Sequence, residues 1–456
     1  MISMSDQNEN QAPAEQTGTV KSEPTARSMR TVAMTALGGT SIEWYDFFIY
    51  GTAAALVFPT LFFAEDMPRY VSLLASFSTF AVGFLARPVG GVVFGHFGDR
   101  VGRKAALVTA LMMMGVATTL IGLLPGYADI GPLAPLLLIF LRFVQGLAVG
   151  GQWGGAMLLV TENAPSNQRG FYGAFAQVGA PAGLVLANLA FLAVSGSLSD
   201  EAFMDWGWRV PFISSVLLIG LSLYVQLKLE DTEAFKELAG ASEPAAAKPR
   251  SPVVQALKTY PREIGLAAGS FLGVQVTFYI CVAWIISYGN DPEGLNIARS
   301  DMLTAVLIST MFAIPANFIF GAWSDRHGRR GIYKLGAILT GLWAFAMFAL
   351  IDTGDWLLIT FALSVAHILV SMMYGPQAAL LAELFSTEVR YSGASLGYQL
   401  GAILGGGFAP IIATSLLVFA GSSMWVAGYI ALANILTWLS INALKENHVK
   451  DLESVA

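Results

Sequence analysis

The sequence predicts an all-α integral membrane protein, with twelve transmembrane helices in two pseudo-symmetric six-helix bundles. Three observations predict it. Composition is the first: 55% of the 456 residues are hydrophobic and only 12% are charged, with a mean hydropathy of +0.61. A water-soluble chain carries about 25% charged residues. The second is a repeated loop. Gly95-His96-Phe97-Gly98-Asp99-Arg100-Val101-Gly102-Arg103-Lys104 returns as Gly321-Ala322-Trp323-Ser324-Asp325-Arg326-His327-Gly328-Arg329-Arg330, 226 residues later. A loop that returns at half the chain length, between apolar runs, marks duplication of a whole bundle. The third is the placement of basic residues. With both termini inside, 20 of the 25 Lys and Arg fall on the inner side, and Arg69, Arg209 and Arg299 on the outer. That asymmetry predicts an even number of helices with both ends cytoplasmic.

The elements follow in order. Residues 1–29 are polar, lack the apolar core of a signal peptide, and read as a disordered cytoplasmic tail. A spanning helix needs about 20 mostly apolar residues. Twelve such stretches occur, at 31–58, 70–97, 104–125, 134–161, 169–196, 208–228, 262–289, 301–324, 331–351, 356–382, 391–419 and 424–444. Residues 230–260 interrupt the series with Glu230, Asp231, Glu233, Lys236, Glu237 and three prolines. This stretch reads as a cytoplasmic linker between an N-terminal bundle, 30–229, and a C-terminal bundle, 261–445. Residues 446–456 form a short cytoplasmic tail. The single Cys281 excludes an internal disulfide and lies in an apolar run.

The repeat reaches beyond the loop. Glu162 precedes Arg169 by seven residues, as Glu383 precedes Arg390, both at the inner end of a fourth helix. Gln177-Val178-Gly179 matches Gln399-Leu400-Gly401, and Pro88 matches Pro315. With its doubled Gly-x-x-x-Asp-Arg-x-Gly-Arg-Arg/Lys loop, the chain resembles the major facilitator superfamily. Glu43-Trp44-Tyr45-Asp46-Phe47 in the first helix, and Arg142-Phe143-Val144-Gln145-Gly146-Leu147 in the fourth, resemble its metabolite:proton symporter family. The resemblance implies alternating access, protons as coupling ion, and a cargo drawn from organic acids or from zwitterions such as proline and betaine. It also implies a cytoplasmic gate in which Asp99, Arg103, Asp325 and Arg329 engage Glu162, Arg169, Glu383 and Arg390. Positive-inside anchoring alone accounts for the arginines but not for the duplicated aspartates.

Four charges lie deep inside spans: Glu43, Asp46, Arg87 and Arg142. Each costs about 2.5–3.5 kcal/mol at a helix centre, so each is a candidate for function. Glu43 and Asp46, three residues apart, share a helix face. The C-terminal half carries apolar residues at the corresponding places, Ile314 for Arg87 and about Leu363 for Arg142. One reading pairs the four as two structural salt bridges. The other has Asp46, with Glu43 as rival, carrying the coupling proton, and Arg142 and Arg87 holding an anionic substrate group. Gln145, Trp153, Tyr45, Gln275, Tyr279, His367, Tyr374 and Gln377 supply polar and aromatic groups for a small ligand.

The sequence offers no nucleotide loop, no nucleophile–base pair and no metal spacing, which argues against an ATP-driven pump or an enzyme and implies no cofactor. The formal charge of −6 argues against nucleic acid. The expected protein is a monomeric proton-coupled importer in the plasma (bacterial inner) membrane, surrounded by lipid, with an organic acid as the expected small-molecule substrate. An osmolyte symporter and a proton-antiport exporter are the alternatives. Osmolyte carriers of this kind resemble the chain except for a long C-terminal coiled coil, and the segment from Lys445 to Ala456 is too short for several heptads.

Overall fold

A computed structural model describes residues 26–101, 103–150, 157–158, 160–162, 164–230, 252–386 and 389–444. All regular structure among them is helical. The long helices are α1 (Ala26–Leu56), α2 (Arg69–Val101), α3 (Arg103–Leu123), α4 (Leu133–Val149), α5 (Arg169–Ser197), α6 (Arg209–Glu230) and α7 (Pro261–Tyr279). They continue as α8 (Arg299–His327), α9 (Arg329–Ile351), α10 (Trp356–Ala382), α11 (Arg390–Gly401) and α12 (Met424–Ala443). Two helices run on through wide π turns: α7 through Ile280–Trp284 to Gly289, and α11 through Ala402–Gly407 to Ala420. Eight of the helical stretches are long and apolar enough by themselves to cross a membrane, among the described residues.

Most spans begin and end within a few residues of the sequence-based expectation. Two differ: α4 ends at Val149 where the sequence suggests a span to 161, residues 151–156 lying outside the described ones, and α1 starts at Ala26 inside the expected tail. Met29 and Ala33 pack there with Val160, Ala164 and Tyr172, so burial extends the helix. Within the expected linker, Pro252–Thr259 is a short helix with Ala256 buried. The remainder of that linker, most of the N-terminal tail and residues 446–456 lie outside the described residues.

Local chemistry fixes the helix ends. The Asp355 side chain accepts from the Leu358 amide and caps α10. Between α8 and α9 the chain turns at Gly328, whose φ of 87° suits a residue without a Cβ. Pro88, Pro181, Pro315 and Pro376 sit inside helices, and each gives up one intrahelical hydrogen bond.

The first six long helices pack as one bundle and the last six as another. α1 lies against α5 and α6, α2 against α4, and α3 against α4 and α6. In the second half α7 lies against α11 and α12, α8 against α10, and α9 against α10 and α12. The halves meet where α5 packs on α8 and α10, and where α2 packs on the π turn of α11. The α5–α8 crossing is close. A Cβ at Gly170 would meet the Gly321 carbonyl at 2.4 Å, and one at Gly321 would meet the Gly170 carbonyl at 2.6 Å. Small residues at this crossing let the backbones touch.

The first and last described residues lie at the same end of the molecule. Met29 packs with Tyr172 near the start of α5, the Gly170 and Phe171 amides reach Asp325 at the end of α8, and Arg330 donates to the Ile441 and Asn442 carbonyls at the end of α12. We call this the termini end.

Candidate functional site

At the termini end, α8 and α9 present a buried charge network. Asp325 and Arg329 are four residues apart across the Gly328 turn, and Arg329 Nη1 lies 2.6 Å from Asp325 Oδ1. The same guanidinium reaches Glu383 Oε1 at 3.1 Å and donates to Ser324 Oγ at 2.7 Å. Asp325 also crosses between the halves. Its two oxygens accept from the Gly170 and Phe171 amides, at 2.7 and 2.9 Å, at the start of α5. A helix N-terminus with free amides is a natural seat for a carboxylate. A second crossing joins Arg390 Nη1 to Glu162 Oε1 at 3.1 Å. Six of the eight expected gate residues therefore lie at this junction, Arg169 being buried at the head of α5. The structure describes only the backbone at Asp99 and Arg103.

At the opposite end the halves are joined by exposed pairs. Arg299 Nη2 lies 2.9 Å from Asp200 Oδ1, with the guanidinium 4.1 Å from the Phe203 ring centre. Arg69 Nε lies 3.5 Å from Asp291 Oδ1.

Between the two ends lies a small cavity of about 20 Å³, enough for one water. Trp44, Ala180, Val274, Gln275, Phe278, Tyr279, Val370, Tyr374 and Tyr398 line it, so both halves contribute walls. Gln177 donates to the Tyr374 carbonyl at 3.1 Å across the same seam. The described contacts thus join the halves on either side of this cavity.

Beside the cavity two arginines are stacked among aromatic rings. Arg87 and Arg142 are 1% and 0% exposed. Phe47 contacts both, with its ring centre 4.4 Å from the Arg87 guanidinium carbon and 4.3 Å from that of Arg142. Phe84 and Trp44 complete the surroundings of Arg87, at 4.6 and 5.5 Å; Tyr50 and Phe80 those of Arg142, at 4.1 and 4.9 Å. Ring faces attract such cations when they are desolvated. Arg142 donates to Gln145 Oε1 at 3.1 Å, and Gln145 donates in turn to Thr118 Oγ1 at 2.7 Å. Arg87 faces the hydroxyls of Tyr279 and Tyr398 in the other half. The Nε and Nη2 atoms of both guanidiniums are buried without a hydrogen-bond partner. Among the described residues no ion pair involves Glu43, Asp46, Arg87 or Arg142. The reading of these four charges as two structural salt bridges is thus corrected. The acids face away because α1 presents them to α6.

The two acids sit apart from the cavity lining. Asp46 is 1% exposed, and the Ser215 hydroxyl of α6 lies beside its carboxyl group. Glu43 neighbours Asp46 and is half-buried. Tyr45 follows the same face and donates to the Pro211 carbonyl at 2.9 Å.

The remaining expected residues divide. Gln275, Tyr279 and Tyr374 line the cavity, whereas Gln145 serves Arg142. Gln377 points into the C-terminal bundle, where it donates to Tyr333 Oη at 2.7 Å. His367 stands edge-on to Phe278, ring centres 6.0 Å apart. Trp153 lies outside the described residues. Sequence reasoning did not single out Phe47, Tyr50, Phe80, Phe84 or Phe278. A signal was present, since Phe80, Phe84 and Arg87 recur at helical spacing, as do Phe47 and Tyr50.

A two-bundle helical fold with a cavity lined by both bundles is the architecture of a secondary transporter, and the comparisons agree. The Major Facilitator Superfamily matches residues 44–388 and 293–454, and the chain belongs to it. It is accordingly a multi-pass membrane transporter and not an enzyme. Among its relatives is the inner membrane metabolite transport protein YhjE of Escherichia coli (strain K12), 44% identical over 85% of this chain and 87% of the relative. The shikimate transporter of the same organism is 39% identical over 92% of this chain and 95% of its own length. The proline/betaine transporter of that organism is 30% identical over 93% and 85%. Among solved structures, the xylose transporter XylE from E. coli, in a partially occluded inward-open conformation, superposes with a TM-score of 0.70 at 17% identity. That alignment covers 93% of this chain and all of the other, and it shows the shared fold.

Proposed function

We propose that this protein takes up a small carboxylate-bearing metabolite together with protons across the bacterial inner membrane, with both termini cytoplasmic. One observation carries the reading. Two buried guanidiniums share the Phe47 ring, neither is ion-paired with a carboxylate, and one of them faces the tyrosines of the opposite half. An uncompensated buried charge costs several kcal/mol. A substrate carboxylate supplies the counter-charge, and guanidiniums take such groups with paired hydrogen bonds. Arg87, at the seam between the halves, is then the residue that meets the substrate, and Arg142 reinforces its field from behind Phe47. The names of YhjE and of the shikimate transporter support a metabolite cargo and an inner-membrane location.

Asp46 is the proposed proton carrier, with Glu43 as its neighbour. Asp46 is a buried carboxyl group in the middle of a spanning helix and belongs to no ion pair among the described residues, and an ionisable group placed there is a candidate for function. The proton:xylose symporter shares the fold, which supports coupling to protons. The buried network at the termini end serves as the cytoplasmic gate in this reading.

A zwitterionic osmolyte is the second reading. The proline/betaine relative favours it, as do the rings of Trp44, Phe278 and Tyr374 around the cavity, which would face a quaternary amine well.

Uptake of labelled organic acids and betaines into proteoliposomes, with an imposed inside-alkaline pH gradient, tests the proposal. Inward accumulation of an acid is expected, lost in Arg87→Gln. Accumulation of betaine alone selects the second reading. Export driven by an opposite gradient overturns uptake. Asp46→Asn is expected to abolish pH-driven accumulation while leaving substrate exchange, and full accumulation would remove Asp46 from the scheme.

A further inference from the structure

We propose that His367 is a specificity-determining hydrogen-bond acceptor that selects carboxylates bearing a hydroxyl group. The inference rests on the carboxylate reading above and adds the second pole of the same site.

The polarity of the imidazole is set by its surroundings. His367 is 2% exposed in α10, and its Nδ1 lies 2.9 Å from the Leu363 carbonyl oxygen. A carbonyl oxygen only accepts, so Nδ1 carries the hydrogen and donates. In the neutral ring the other nitrogen, Nε2, is then a bare lone pair. That atom is buried and has no hydrogen-bond partner. The ring meets Phe278 edge-on.

The position is set by the helix. His367, Val370 and Tyr374 fall at i, i+3 and i+7 and share one face of α10. Val370 and Tyr374 line the cavity, as does Phe278, the ring that His367 abuts. His367 therefore stands one turn beyond the cavity wall, on the α10 side, while Arg87 stands behind Tyr279 and Tyr398 on the α7–α11 side. One pole offers the Arg87 guanidinium behind two tyrosine hydroxyls, and the other an unused acceptor. A ligand that satisfies both carries a carboxylate at one end and an O–H at the other. A quaternary amine has no hydrogen to give and leaves Nε2 unmet.

The experiment is equilibrium binding to the purified full-length protein in nanodiscs. Four matched pairs of acids serve as probes: malate and succinate, lactate and propionate, 3-hydroxybenzoate and benzoate, shikimate and cyclohexene-1-carboxylate. The native protein is expected to bind the hydroxylated member of at least one pair about tenfold tighter or more, because a buried acceptor left unpaired penalises the other member. His367→Phe, which keeps an aromatic edge against Phe278, should reduce that ratio below about threefold. His367→Gln, whose amide oxygen can occupy the Nε2 place, should restore it. An undiminished ratio in His367→Phe overturns the proposal, as does the absence of any hydroxyl preference in a native protein that binds these acids. The carboxylate reading survives both results. If the native protein binds none of the eight acids, that reading falls as well. The native ratios alone decide the matter should His367→Phe fail to fold.

Discussion

The two ends of the molecule are closed by different means. At the termini end Arg329 and Asp325 have side chains 1% and 4% exposed, Glu383 stands behind them, and the seam below is backbone against backbone at Gly170 and Gly321. At the opposite end Asp200 is 91% exposed beside a largely buried Arg299 at 14%, and Arg69 and Asp291 are 55% and 36% exposed. The same residue types thus do unequal amounts of work. An exposed pair contributes about 0.2–1 kcal/mol, while removing one partner from a buried pair costs about 3–5 kcal/mol. The inequality implies a resting protein that opens more readily at the end away from its termini. For an importer with cytoplasmic termini, that is the side from which substrate arrives.

Four outcomes would sharpen or break this comparison. The largest effect is expected from Asp325→Ala. It removes the partner of Arg329 and strands the Gly170 and Phe171 amides, at a cost of about 3–5 kcal/mol to the closed termini end. Single cysteines placed near the start of α5 should become reactive to a membrane-impermeant thiol reagent in inside-out vesicles. Unchanged reactivity would show that Asp325 does not hold that end. Gly321→Val comes next, since its new side chain collides with the Gly170 carbonyl. Overpacking of about 1–3 kcal/mol should open the same end without altering any charge, and unchanged cysteine reactivity there would show that the glycine crossing does not seal it. Arg299→Ala should shift the opposite end by about 0.2–1 kcal/mol, a change of fivefold or less in its opening by spin-label distance measurement. A larger shift would mean that the Phe203 contact, not the ion pair, holds Arg299. The smallest effect is expected from raising salt from 0.1 to 1 M, which shortens the screening length from about 10 to about 3 Å. The exposed end should loosen slightly and the buried end should not respond.

Much of this architecture was legible in the chain. Twelve apolar runs became twelve long helices, because a run of that length in lipid has no other way to satisfy its backbone. The duplicated loop led to the network at Asp325, and Glu162 and Arg390 were candidates from their matched spacing alone. The binding region was legible in its ingredients but not in its assignment. Arg142 was the leading substrate residue from the sequence, yet the structure seats it behind Phe47, and Arg87 faces the other half. Gln377 had the right chemistry and the wrong side of α10, where Tyr333 engages it. Nothing in a linear pattern of polar residues tells which face of a helix that is apolar all round meets the cavity.

Adjacent residues on α1 make the division plain. The sequence by itself determined that Asp46 and Phe47 lie in the middle of a membrane-spanning helix, since that follows from the length and polarity of one segment. It determined also the duplicated loop, whose second copy needs only a local turn at Gly328. Tertiary packing alone decided what these two neighbours do. A helix turns about 100° per residue, so with α6 on one flank and α2 and α4 on the other, Asp46 meets Ser215 while Phe47 sits against two guanidiniums. Local physics sets the helix, and the neighbours that close around it set the meaning of each face.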